Sequence, residues 1–346
     1  MKQVIKYASI IFALMLAAAI IGGCLTAGVA VVKMIVEKTE GKFPEDWNNK
    51  LWYETEDGDI VFLGIRFDGD GGVQSGSEVF DSADISSIKM QDISGELLVE
   101  VWDSNQIYVE YDDISDDYEI KNANGVLVIE KEEDFALFHF NLNEKPRFYV
   151  KVPADMVFGY VDIDKGSGSA KILGIAADVF HVDSGSGSVS VSDAEVSEFD
   201  LKSGSGSVSL SGITADRMII SSGSGAVTVK KSVFGETSMD TGSGFATLDD
   251  VTTKNLVVDS GSGRVKYSGY LTGNCVFESG SGSVSLEIYG KEEDYNIHAD
   301  MGSGGLYVNG SKKKDTEIEH DGAKNTLIFD AGSGRVSVEF KENYGR

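Results

Sequence analysis

The sequence predicts an all-β chain, a single-stranded β-solenoid (β-helix) of about 19-residue coils, preceded by one N-terminal transmembrane helix. Three observations predict it. A Gly-Ser-Gly triplet recurs on a fixed spacing, aliphatic residues alternate in register on both sides of it, and a long uncharged stretch lies near the N-terminus.

The triplet begins at Gly166, Gly185, Gly204, Gly223, Gly242, Gly261 and Gly280, on a constant step of 19, then at Gly302 after a step of 22 and at Gly332 after a step of 30. A flexible linker would keep no such ruler. Four residues after each first glycine stand Ala170, Val189, Val208, Val227, Ala246, Val265, Val284, Leu306 and Val336. Two further on stand Ile172, Val191, Leu210, Val229, Leu248, Tyr267, Leu286, Val308 and Val338. Polar residues such as Ser190, Ser209 and Thr228 lie between them, which is the period-two alternation of a strand with one buried face. The same pattern precedes the triplet: Ile163, Val182 and Leu201 three residues before it, Val161, Phe180 and Phe199 five before it, and so on to Phe329 and Leu327.

Each repeat therefore reads as strand, corner, strand, second corner. One repeat cannot bury its apolar face alone, so stacked repeats share a continuous core. Nine corners span eight rises, about 38 Å at ~4.8 Å each. The nine glycines are the structural corner residues, expected where φ turns positive and where no Cβ can obstruct the coil above or below. The serine between them is expected to form a hydroxyl ladder. The stretch 81–153, with "ELLVEVW", "QIYVEY" and "RFYVKVP", has strand character without the ruler, and is expected to form irregular N-terminal coils that cap the regular solenoid of 154–346. At the other end "VSVEFKENYGR" is expected to shield the last edge with its charges.

The N-terminal segment 1–36 reads as an anchor or signal. No residue from Tyr7 to Val32 is charged, and a helix over that stretch is about 39 Å long, enough for one tilted span. Lys2 and Lys6 precede it. A second reading stays open: "IGGC" at Ile21–Cys24 resembles a lipobox, with Cys24 as a lipidated N-terminus, although the apolar run continues past Cys24. Both readings place residues 37–346 outside the cytoplasm, and the uncleaved span makes the chain a single-pass cell-membrane protein. Residues 37–80 read as a juxtamembrane segment, with Trp47, Trp52 and Tyr53 suited to the lipid interface or to packing on the domain. "FDGDGG" at Phe67–Gly72 lacks the later ligands of a calcium loop.

The chain holds 346 residues, with 30 Lys+Arg against 56 Asp+Glu and a net charge of −26. That balance excludes nucleic acid as a partner, since phosphate backbones are met by clustered Lys and Arg. It leaves cations, proteins and glycans. Cys24 and Cys275 give no disulfide framework.

The basic start, single span, strand-rich stretch ending in "KVP" and repeated "SGSGSVSV" together resemble the bacterial "putative adhesin" family of Gly-Ser-Gly β-strand-repeat domains, over about Ser82–Phe340. The resemblance implies surface attachment or, for some similar proteins, envelope-stress signalling. It carries no catalytic motif to transfer, and this chain departs from the pattern in its two late insertions.

The search for chemistry is correspondingly spare. Two residues before each triplet stand Asp164, Asp183, Lys202, Ser221, Asp240, Asp259, Glu278, Asp300 and Asp330, a column of carboxylates once the coils stack. Two carboxylates ~4.8 Å apart in water repel by about 0.9 kcal/mol, which a calcium ion would relieve. Asp240, Asp259 and Glu278 are the best metal candidates, against the plainer reading of a solvated, aggregation-resistant face. Beside them Ile219, Val257, Val276 and Ile328 point outward, as a contact stripe or as scattered exposed residues. Lys312–Lys314 form a basic cluster in the second insertion. His139, His181, His298 and His320 have no ligand spacing, and "GSGS" is neither a nucleophile elbow nor a dinucleotide loop. The expectation is a non-enzymatic binding protein without a cofactor, held to the membrane by its N-terminal helix, with a protein, cell-wall or glycan ligand. A regulatory protein acting through a membrane partner and a self-assembling scaffold are the alternatives.

Overall fold

The computed structural model describes residues 52–54, 60–62, 65–67, 73–115, 117–131, 138–140, 146–313 and 317–342. The anchor segment 1–36 with Cys24, the aromatic Trp47, the loop 68–72 and Lys314 lie outside the described residues. Among the described residues no helix is long and apolar enough to cross a membrane. The chain divides into two units, Met1–Val73 with Glu133–Glu144, and Gln74–Glu132 with Lys145–Arg346. In the first, Trp52–Glu54, Ile60–Phe62 and Ile65–Phe67 pair antiparallel in turn, and Phe138–Phe140 adds in parallel to the third.

The second unit is all-β and solenoid-like. Each Gly-Ser-Gly corner joins two strands, and corner plus strands make one rung. The strand before the corner and the strand after it each pair in parallel with their counterparts one repeat on. Val161 lies beside Phe180, Phe180 beside Phe199 and Phe199 beside Met218, while Ala170, Val189, Val208 and Val227 line up after the corner. The four alternating columns read from the sequence point inward, and every one of their members is buried, Ala299 being the most exposed at 8 %. Their two polar exceptions are satisfied: the hydroxyls of Thr237 and Thr253 share a hydrogen bond of 2.7 Å, and the Tyr267 hydroxyl lies 2.8 and 2.9 Å from the carbonyls of Val251 and Tyr270. Rings also stack from rung to rung, Phe180 on Phe199 at 4.8 Å and Phe277 on Phe329 at 5.3 Å.

The ends depart from sequence order. After the Gly280 rung the chain places the Gly302 rung one level too high. The Gly332 rung, Asn325–Ala331 and Arg335–Lys341, then fills the gap: Phe329 pairs with Phe277 on one side and Ala299 on the other. Val336 likewise lies between Val284 and Leu306. This corrects the expectation that "VSVEFKENYGR" shields an edge. Its strand is internal, and the edge beyond it belongs to the Gly302 rung, where Ser311–Lys312 and Glu317–Ile318 pair antiparallel. The other end mirrors this. Ser87–Ile93 and Glu96–Trp102 form the rung beneath Gly166, with Ile88 beside Val161 and Leu97 beside Ala170. The chain then passes below it, where Val126–Lys131 and Arg147–Pro153 pair in parallel with those two strands. Gln106–Ser115 and Tyr118–Ala123 add antiparallel to this lowest rung, and Val73–Asp81 pairs with Gln106–Ser115, so the large sheet begins before residue 81.

Candidate functional site: the corner face

The corner brings the repeated side chains to one edge of the stack, and its geometry explains the glycines differently from the sequence reading. Of the corner glycines only Gly168 has positive φ, at 87°. The others, Gly166 excepted, are required by close approach. A Cβ on Gly225 or Gly244 would stand 1.9 or 2.0 Å from the carbonyl oxygen of the second glycine one rung below, and one on Gly204 or Gly223 would stand 2.7 Å from the first. Gly166, on the lowest regular rung, has nothing within 4 Å. Positive φ lies at the other corner instead, eight residues after the first glycine, at Gly174, Asp193, Gly212, Lys231, Asp250 and Gly269. That column was visible as Gly and Asp recurring on the same repeat step, residues that tolerate the left-handed region, but Lys231 breaks the pattern.

The expected ladder of middle serines is also corrected. Those serines are exposed, and Ser303 Oγ to Ser333 Oγ at 3.1 Å is the hydroxyl pair formed between them among the described residues. Buried hydroxyls instead stand just before six of the nine triplets: Ser184, Ser203, Ser222, Thr241, Ser260 and Ser279. They fill the inside of the corner. Ser279 Oγ lies 3.1 Å from where a Cβ on Gly282 would stand. At the lowest regular rung this position holds Lys165, fully buried, whose Nζ donates to the carbonyls of Gly95 at 2.7 Å and Ser167 at 2.8 Å. Burial pushes its pKa down to about 8, against the raising effect of Glu96.

Outward, the structure aligns Asp240, Asp259 and Glu278 on consecutive rungs and continues the column through Asp330 to Asp300. All five are exposed. Among the described residues no group of three His, Cys, Asp or Glu could hold a metal ion. Lower in the column Lys202 and Ser221 interrupt the carboxylates, and together with Asp183, Asp240 and the bare glycine backbone they line a shallow groove of about 430 Å³. Of the apolar candidates, Val257, Val276 and Ile328 become neighbours on successive rungs, whereas Ser238 separates Ile219 from them.

One constellation was missed. His181 stands between Asp162 and Asp200, its Nδ1 2.9 Å from Asp162 Oδ1 and its Nε2 3.9 Å from Asp200 Oδ2. The three residues are one repeat apart, so the coil period carried the signal. His298 pairs with Glu319 at 2.9 Å, and His320 Nδ1 meets the carbonyl of Tyr295 at 2.9 Å. Cys275 is buried, its thiol directed at the carbonyl of Thr272 at 3.4 Å, and burial pushes its pKa up to about 11. The imidazole of His181 is flanked by carboxylates on both sides rather than by a nucleophile, which orients it without assembling a catalytic triad.

Several solved structures resemble this chain. A putative lipid binding protein from Parabacteroides distasonis shares 13 % identity, with 79 % of this chain and 98 % of that one covered and a TM-score of 0.49. A putative adhesin from Parabacteroides merdae shares 13 %, covering 80 % and 99 %, at a TM-score of 0.44. A putative adhesin from Parabacteroides distasonis shares 15 %, covering 78 % and 98 %, at 0.45. No curated protein matches the chain. Residues 85–339, which include strands of every rung from the lowest to the Gly302 rung, match the Toastrack DUF4097 family, and the chain belongs to that family.

Proposed function

We propose that this chain is a membrane-anchored, extracytoplasmic binding protein, adhesin-like and non-enzymatic. The observation that carries the reading is the in-register display of side chains along about 38 Å of a packed scaffold. The inward columns are buried throughout, so the stack is stiff, and each outward position repeats on every rung as a straight column. Such a surface suits recognition of an extended ligand along a line. The uncharged stretch from Tyr7 to Val32 supports anchoring, by a span or through lipidated Cys24.

Cells that display the full chain are expected to adhere to immobilised host or wall material, and to lose that adhesion when residues 74–346 are deleted. Equal adhesion with and without them would contradict the reading. The Val257–Val276–Ile328 stripe favours a second reading, contact with a partner membrane protein. Replacing all three by serine would then abolish capture of that partner while leaving adhesion intact. A self-stacking scaffold is disfavoured, because antiparallel strands pair along the outer edges of both terminal rungs.

A further inference from the structure

The strands that follow the corners carry a basic strip on an otherwise acidic domain. Three residues after the first glycine, successive rungs present Phe245, Arg264, Ser283 and Arg335. Two residues further on, the neighbouring column presents Thr247, Lys266, Ser285, Ser337 and Tyr307. Lys312 pairs opposite Tyr307. The insertion of the Gly332 rung brings Arg335 two rungs from Arg264, about 9.6 Å away at ~4.8 Å per rung.

Each guanidinium lies on an aromatic ring. Arg264 is 5.7 Å from the centre of Phe245 and Arg335 is 4.6 Å from the centre of Tyr307. Stacking on a ring face holds the planar fork and leaves its N–H edges to meet a bidentate anion. Among the described residues, Arg264, Lys266, Arg335 and Lys312 have no carboxylate within ion-pairing distance, whereas Lys121, Arg147, Lys313 and Lys341 each do. Phe245, at 58 % exposure, is among the most exposed large apolar residues described.

The strip is narrow. Across the corner runs the column Asp259, Glu278, Asp330 and Asp300. On the other side, two residues beyond Lys266, Ser285 and Ser337, run Ser268, Glu287 and Glu339. A ligand must therefore be one chain wide and follow the stack axis.

We propose that this strip binds a linear, carboxylate-bearing polysaccharide, its acid groups on Arg264 and Arg335 and its hydroxyls on Ser283, Ser285 and Ser337. The proposal rests on the binding reading above and names its ligand class. A nucleic acid fits less well, since a strand carries a phosphate every ~3.4 Å and would press charge against the flanking carboxylates.

The test uses the full chain with four probes: hyaluronate, polygalacturonate, neutral dextran and oligo(dT) of matched charge, measured by interferometry at two salt concentrations. Hyaluronate or polygalacturonate is expected to bind, more weakly at high salt, and dextran not to bind. The R264E/R335E variant should lose at least tenfold in affinity. Phe245→Ala should lose about two- to fivefold, the weight of one cation–π contact. Both variants should keep the wild-type thermal unfolding midpoint, and Lys266→Glu provides an independent loss if either does not. Unchanged affinity in R264E/R335E and Lys266→Glu, no binding by either uronate polymer, or oligo(dT) binding as tightly as hyaluronate would overturn the proposal. If R264E/R335E cells still adhere while deletion of 74–346 abolishes adhesion, the strip fails and the adhesin reading stands. If that deletion leaves adhesion unchanged, the adhesin reading itself fails.

Discussion

Between Gly166 and Gly280 seven rungs follow one another in sequence order on a constant step, while at the upper end the chain skips a level and returns to fill it, and at the lower end it lays one rung, passes below it and then resumes above it. The middle is built by local continuity: a tight second corner delivers each strand beside the one just laid down. At the upper end the step lengthens, first to Gly302 and then to Gly332, and at the lower end a far longer stretch of chain separates Ile88 from its neighbour Val161. A longer connection lets the chain choose which edge to extend. The consequence is protective. The final rung pairs on both faces, and the rungs left at the two edges are those that carry antiparallel strands.

The comparison can be broken most severely at the glycines. Gly244→Ala, in the middle, puts a methyl group 2.0 Å from a backbone carbonyl that no rotamer change can move, and should cost at least about 3 kcal/mol of stability. Gly166→Ala, at the lowest regular rung, meets nothing within 4 Å and should change stability by about 0.5 kcal/mol or less. Denaturant midpoints of the two variants provide the check, and equal costs would mean that the corners are not packed one upon another.

Lys165 sharpens the comparison at the lower end. It occupies the position that Ser184, Ser203 and Ser222 occupy above it. Its folded pKa of about 8 lies below its ordinary value of 10.5, so between those pH values the unfolded chain binds more protons than the folded one. Stability should therefore rise as pH climbs from about 8 to 10.5 through this group, the burial cost being fully present below 8. Lys165→Met should remove that rise and leave stability at neutral pH unchanged or raised, by at most about 4 kcal/mol. A wild-type stability that falls through the same window as steeply as that of Lys165→Met would refute the assignment. The smallest effect is expected from Asp259→Asn, which removes one exposed member of the carboxylate column and should shift the unfolding midpoint barely, in either direction, with or without millimolar calcium. A calcium-dependent loss of stability in this variant would restore the cation reading of Asp240, Asp259 and Glu278.

The inward columns were legible because apolar alternation and a fixed period are both sequence properties, and Val161, Phe180 and Phe199 needed only to be aligned. The carboxylate column was legible for the same reason. The order of the Gly302 and Gly332 rungs was not, because a strand's apolar pattern says which face is buried and nothing about which neighbour it pairs with. The Asp162–His181–Asp200 trio lies on the same ruler, but its members sit on three different strands, so no spacing within one strand reveals it. Arg264 and Arg335 escaped notice because two insertions and the whole Gly302 rung separate them in sequence, while a single rung separates them in space.

The swapped order of the last rungs underlies both the protected edge and the basic strip, and paired cysteines test it directly. In the swapped order Glu278 and Asp330 stand on adjacent rungs, with Cα atoms about 4.8 Å apart and within disulfide reach, while Glu278 and Asp300 stand two rungs and about 9.6 Å apart, beyond it. Peptide mapping under mild oxidation should find a cross-link in the E278C/D330C chain and none in the E278C/D300C chain. A cross-link in E278C/D300C and not in E278C/D330C would mean that the rungs stack in sequence order, and would contradict the account.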